Sequence, residues 1–170
     1  MDKRQISLKL ALDALGFAPR LETFDSRLIL QKAMYLAQER GFRLGYHFSW
    51  YIRGPYSRQL TADAFAVASA LAGSADEFKQ WTIEESSRRI LDKVTALWED
   101  RGMVAPWLEL LASVHFLLTR GKVRSQNSAV LHETLLKFEK NFSTTEIDDA
   151  VGALSSAGML PSNGATAVAA

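Results

Sequence analysis

Cysteine is absent from the 170 residues. That one absence excludes a disulfide scaffold, a thiolate-held zinc site and a cysteine nucleophile. Long apolar runs are missing too: none reaches the roughly 18 residues of a membrane span. The opening Met-Asp-Lys-Arg-Gln-Ile has charges but no apolar stretch behind them, so no secretory signal is expected. The common catalytic signatures are also lacking. No glycine-rich phosphate loop follows a strand, and no Gly-x-Ser-x-Gly elbow or His-Glu-x-x-His pair occurs. The three histidines (His47, His115 and His132) have no metal-ligand spacing between any pair. These absences lead us to expect a soluble cytoplasmic protein with no cofactor, no metal and no enzymatic activity.

The residues that are present describe ordinary globular composition, 48% hydrophobic and 23% charged, in a length that suits one domain. Folding should bury roughly 70% of the surface of a chain this long, enough for a core without staples. The net charge of +1 hides an asymmetry. Residues 1–60 hold ten Lys/Arg against five Asp/Glu, and the remainder ten against fourteen. Either the N-terminal third meets an anionic partner, with Lys3, Arg4, Lys9 and Arg20 as its basic residues, or the two halves attract each other.

Hydrophobic periodicity predicts a mainly α-helical domain over residues 1–160, followed by a disordered 161–170 tail rich in Ser, Asn, Gly, Ala and Thr. A first helix is expected from Ile6 to Leu15, stopped by Gly16. A second, capped by Asp25 or Ser26, should run to Arg40. It is apolar on several sides, which places it between other elements. Lys32 lies in its middle, with its ammonium expected to reach water along a packed stem. Ser57 should cap a helix from Arg58 to Leu71. Thr82-Ile83-Glu84-Glu85 matches a capping box ahead of a helix reaching Asp100. Pro106 to Leu118 reads as a buried core helix. Inside it, His115 is either a core histidine satisfied by one hydrogen bond or, with a carboxylate nearby, a catalytic base.

Between the second and third helices the pattern changes. Tyr46, Phe48, Trp50 and Ile52 alternate with His47, Ser49, Tyr51 and Arg53, which predicts a short strand or hairpin near 46–52. Pro55 has no N–H for a ladder, so Gly54-Pro55 should end the pairing. Aromatic residues and arginine on a tight turn are the types that anchor protein interfaces. They also make a plain structural corner, in which Trp50 packs inward and Ser57 caps. The two readings are compatible, because only Tyr51, Arg53 and Tyr56 need be exposed.

The C-terminal unit, residues 128–160, reads as a helix from Ser128 to Lys140, a turn, and a helix from Thr144 to Ala157 opened by a Ser143/Glu146 capping box. This is helix-turn-helix-like, or winged-helix-like without an evident wing. The second helix has no Lys or Arg and carries Glu146, Asp148 and Asp149, which a polyanion would repel. Packing or protein contact suits it better than groove insertion. DNA binding through this pair or the basic N-terminal third is the alternative.

Leu30-Gln31-Lys32-Ala33-Met34-Tyr35-Leu36-Ala37-Gln38, an aromatic strand and Trp50-Tyr51-Ile52-Arg53-Gly54-Pro55-Tyr56-Ser57 together resemble the SocA-like Panacea antitoxin domain. They resemble still more the YwgA-like uncharacterised proteins of bacteria and archaea. The likeness covers about residues 25–71. Tyr56 stands where Panacea domains commonly have an aliphatic residue. The resemblance implies a helical domain without enzyme activity that binds another protein, in some cases a cognate toxin. It carries over to Lys32, Trp50, Gly54 and Pro55 in a mainly architectural role. The expected partner surface is Tyr51, Arg53 and Tyr56.

Overall fold

The computed structural model describes residues 1–73 and 78–161. The expected 161–170 tail falls, beyond Pro161, outside the described residues. The fold is mainly helical, with seven helices and one two-stranded antiparallel hairpin among the described residues.

Two helices form the centre. α2 (Phe24–Glu39) buries every residue from Gln31 to Ala37, and α5 (Ala105–Thr119) buries every residue from Trp107 to Leu118. They pack on each other. A helix apolar all round must be covered on all sides, and the remaining elements supply that cover. α1 (Lys3–Ala14) lies against α3 (Arg58–Gly73) and α4 (Glu85–Thr95). α7 (Thr144–Ser156) buries Ile147, Ala150 and Leu154 and packs on α5 and on α6 (Ser128–Lys137). Truncating a fully buried leucine of α5, such as Leu108 or Leu111, should cost about 2–5 kcal/mol.

Several boundaries move from their expected places for identifiable reasons. α1 starts at Lys3 because Asp2, not a later residue, caps it, with Gln5 closing a capping box. Thr23 caps α2 through the Ser26 N–H, where Asp25 or Ser26 was expected. The Thr82/Glu85 box does not form: Glu84 occupies the cap position without a side-chain bond, and α4 ends at Thr95 rather than Asp100. α6 stops at Lys137, because the chain turns through a left-handed Glu139 (φ 57) and directs Lys140 inward. The Ser143/Glu146 capping box forms as the sequence predicts.

The hairpin also differs. β1 is Ser49–Tyr51 and β2 is Gly54–Tyr56, paired Ser49 to Tyr56, Trp50 to Pro55 and Tyr51 to Gly54. Pro55 therefore sits inside a strand instead of ending the pairing. An antiparallel ladder alternates hydrogen-bonded and non-bonded pairs, and Pro55 can occupy a non-bonded one without loss. Its carbonyl then points away from β1, toward α2. Ile52 and Arg53 make the two-residue connection, and Gly54 supplies the left-handed residue at its exit (φ 84). A side chain at Gly54 would also collide: its Cβ would lie 2.6 Å from Ser113 Oγ on α5.

Candidate functional site

The segment 46–57 is held at both ends by α2. Gln38 donates from Nε2 to the Tyr46 carbonyl (2.7 Å) and accepts the Tyr46 N–H at Oε1 (3.0 Å). Gln31 does the same with Ser57, donating to its carbonyl and accepting its N–H, both at 2.9 Å. Seven residues separate the two glutamines, two turns of one helix face. Between these grips, Lys32 Nζ donates to the outward-turned Pro55 carbonyl at 2.7 Å.

Lys32 is therefore buried, contrary to the expectation that its ammonium reaches water. Burial pushes its pKa down to about 7, helped by the nearby positive charge of Lys140 and opposed by Glu109. Lys140 is itself buried and pairs with the buried Glu109. Burial lowers the Lys140 pKa, and the bond to Glu109 works against that shift. Arg53 reaches the same carboxylate from outside, 3.6 Å from Glu109 Oε2. Trp50 lies half-buried over this group, with the Lys140 ammonium 5.8 Å from its ring centre and Phe138 and Phe116 at 4.7 and 5.6 Å. One carboxylate thus serves two cations beneath the hairpin. Such a pair gains little net stability over an apolar filling but is costly to break on one side.

Of the residues singled out in the sequence, Tyr51 and Arg53 project from this support and Tyr56 is half-buried. Ile52, at the tip, is 68% exposed and Tyr51 is 56% exposed. Tyr51 and Tyr56 lie ring to ring at 5.5 Å. Phe24, at the start of α2, is exposed as well, and the Arg53 guanidinium lies 5.9 Å from its ring centre. Ser57 caps α3 by accepting the Leu60 N–H (3.4 Å). Lys32, Trp50, Gly54, Pro55 and Ser57 are all drawn into the support of the hairpin.

Two of the four basic residues singled out in the N-terminal third are paired with carboxylates. Arg4 pairs with the buried Asp63 at 2.8 Å, where Gln5 and Tyr46 also donate. Lys9 pairs with Asp13 within α1. Lys3 and Arg20 are exposed. Arg4–Asp63 and Arg53–Glu109 each join a cation of residues 1–60 to a carboxylate of the remainder, so part of the charge asymmetry is neutralised internally, while Arg120–Glu39 joins the two parts in the opposite sense. On α7, Asp149 pairs with Arg101.

Among the described residues, His115 and His132 bond to groups other than carboxylates. His115 Nδ1 lies 2.7 Å from the Tyr35 hydroxyl, and burial pulls its pKa down to about 4, which keeps the ring neutral. His132 Nδ1 lies 2.7 Å from the Phe142 carbonyl. Among the described residues, no group of His, Asp and Glu could hold a metal ion, and no helix is long and apolar enough to cross a membrane.

Sequence reasoning missed Glu109, Lys140, Ile52 and Phe24 as members of this region. Glu109 lies on α5 and Lys140 in the turn after α6, 31 residues apart, and no local spacing connects them. The grip of Gln31 and Gln38 had a visible signal, two glutamines in register on an otherwise buried helix face. No protein-family model matches the chain, and no curated protein and no solved structure matches it.

Proposed function

We propose that this chain is a non-enzymatic binding module that contacts another protein through the hairpin tip, with Tyr51, Ile52 and Arg53 as its anchors and Phe24 beside them. The observation that carries this is the exposure of large apolar side chains on a backbone fastened from below by Gln31, Lys32 and Gln38. Exposed apolar and arginine side chains on a rigid support are the makings of an interface hot spot. A fastened hairpin loses little freedom on binding, which favours affinity. The resemblance of residues 25–71 to the SocA-like Panacea and YwgA-like proteins supports an antitoxin-like or regulatory role in the cytoplasm, with a cognate toxin as the first partner to try.

DNA binding is the weaker reading. Three carboxylates on α7 and the internal pairing of Arg4 and Lys9 both count against it.

The test is co-expression with the product of the adjacent gene, followed by affinity capture. Wild-type chain should retain that product, and the Tyr51→Ala/Arg53→Ala variant should lose it at an unchanged melting temperature. Equal capture by both chains, or none by the wild type, contradicts the proposal.

A further inference from the structure

A cleft of about 430 Å³ opens over the outward face of the hairpin, between β1, β2 and the start of α3. His47, Ser49, Tyr51, Tyr56, Arg58 and Gln59 line it, and no Asp or Glu is among its described lining residues. The lining is rich in donors and carries the permanent charge of Arg58, which is exposed.

The hydrogen bonds beneath the cleft give it a direction. The Ser57 N–H is a donor only, so the Gln31 oxygen must face it and the Gln31 nitrogen must face Thr61. That nitrogen donates to Thr61 Oγ1 at 2.8 Å. The Thr61 proton then has two places to go. The Ser57 carbonyl is 3.4 Å away and already accepts from Gln31, whereas the Tyr56 hydroxyl oxygen is at 2.9 Å. Of these two acceptors the Tyr56 hydroxyl is the nearer. Accepting from Thr61 leaves the Tyr56 hydroxyl its own proton for an acceptor in the cleft that it lines. A buried amide on α2 thus heads a hydrogen-bonded chain, Gln31 to Thr61 to Tyr56, that ends at a phenol lining the same cleft as Arg58, with no carboxylate among the described lining residues.

We propose that this cleft receives an acidic side chain, Asp or Glu, from the partner protein, held by the Tyr56 hydroxyl and the Arg58 guanidinium. The ring of Tyr51 walls the seat. This deepens the proposed binding function and rests on it. It assigns the chemistry of the partner: a carboxylate next to an apolar contact, the carboxylate in the cleft and the apolar group on Ile52 and Tyr51.

The probe is a fluorescein-labelled peptide of alternating glutamate and leucine, compared by anisotropy with its glutamine counterpart at low ionic strength. The glutamate peptide should bind about tenfold tighter, the size of one charge-assisted hydrogen bond. Arg58→Gln should remove that preference, and Tyr56→Phe, which keeps the ring, should reduce it severalfold. Arg124→Gln, at an exposed position away from the cleft, should leave it unchanged. Equal affinity for the two peptides, no binding of either, or a preference that survives both variants overturns the assignment. So does concentration-dependent dimerisation abolished by Arg58→Gln, which would make a second copy of the chain the occupant. If captured partner is lost in Tyr51→Ala/Arg53→Ala but not in Arg58→Gln, the carboxylate seat is wrong and the binding module stands. If neither variant affects capture, both fall.

Discussion

Gln31 and Gln38, two turns apart on α2, each hold the N–H and the carbonyl of a single residue, Ser57 and Tyr46, and so clamp the two ends of the hairpin segment. Bonding both groups of one residue fixes the position and the orientation of the chain there. The segment between the clamps rests on α2 and on α5, the two most completely buried helices.

Breaking one clamp should therefore loosen the hairpin before it unfolds the protein. Gln31→Leu leaves the buried Ser57 N–H without its partner and removes the donor to Thr61. It should cost about 2–3 kcal/mol in urea unfolding. Gln38→Leu, at a half-buried residue, should cost less, about 1 kcal/mol.

The burial of Lys32 predicts a pH dependence. The folded state gives up this proton near pH 7, whereas the unfolded chain keeps it to about pH 10.5. Between those values the unfolded state binds more protons, so stability rises with pH. Below about pH 7 the cost of the buried charge is fully present. Relative to Lys32→Met, wild type should gain about 2 kcal/mol between pH 7 and pH 9. The comparison keeps Lys140 and Glu109 in both proteins, and urea titrations at the two pH values measure it.

Much of this arrangement can be read in the sequence, and the unread part has physical causes. The helices are visible because each buries a repeating face, and the Ser143/Glu146 box because all its members lie within four residues. The aromatic alternation marks the strand region, yet the rule that proline ends a strand misplaces β2. Pro55 is tolerated because its position in the ladder asks for no N–H. The depth of Lys32 is hidden for another reason. A lysine on an apolar helix normally escapes to water, and only the tertiary fold supplies the Pro55 carbonyl that holds it inside. The Glu109–Lys140 pair depends on the turn after α6 meeting α5, which no local pattern announces.

Gly54 should tolerate no side chain. Gly54→Ala meets both the left-handed backbone (φ 84) and the Ser113 hydroxyl at 2.6 Å, for a cost of about 2–4 kcal/mol. Ser113→Ala alone should be neutral or slightly stabilising, because Ser113 Oγ is buried without a hydrogen-bond partner. In the double variant part of the loss should return, leaving the backbone cost of about 1–2 kcal/mol. A double-mutant cycle read by thermal unfolding separates the two contributions.

The buried pair beneath Trp50 should respond asymmetrically. Glu109→Gln leaves the Lys140 ammonium buried without its counter-charge, at a cost of about 3–5 kcal/mol. Replacing both members, Glu109→Leu with Lys140→Met, should recover most of that, because an apolar filling of similar volume replaces the pair at little net cost. Chemical denaturation of the three proteins checks it.

Hydrogen exchange of the chain with and without its captured partner tests the binding surface most directly. The slowing should fall on residues 49–58 and on the start of α2 around Phe24, with α7 unchanged. Slowing confined to α7 or to the basic residues of α1, with the hairpin unaffected, would contradict the account.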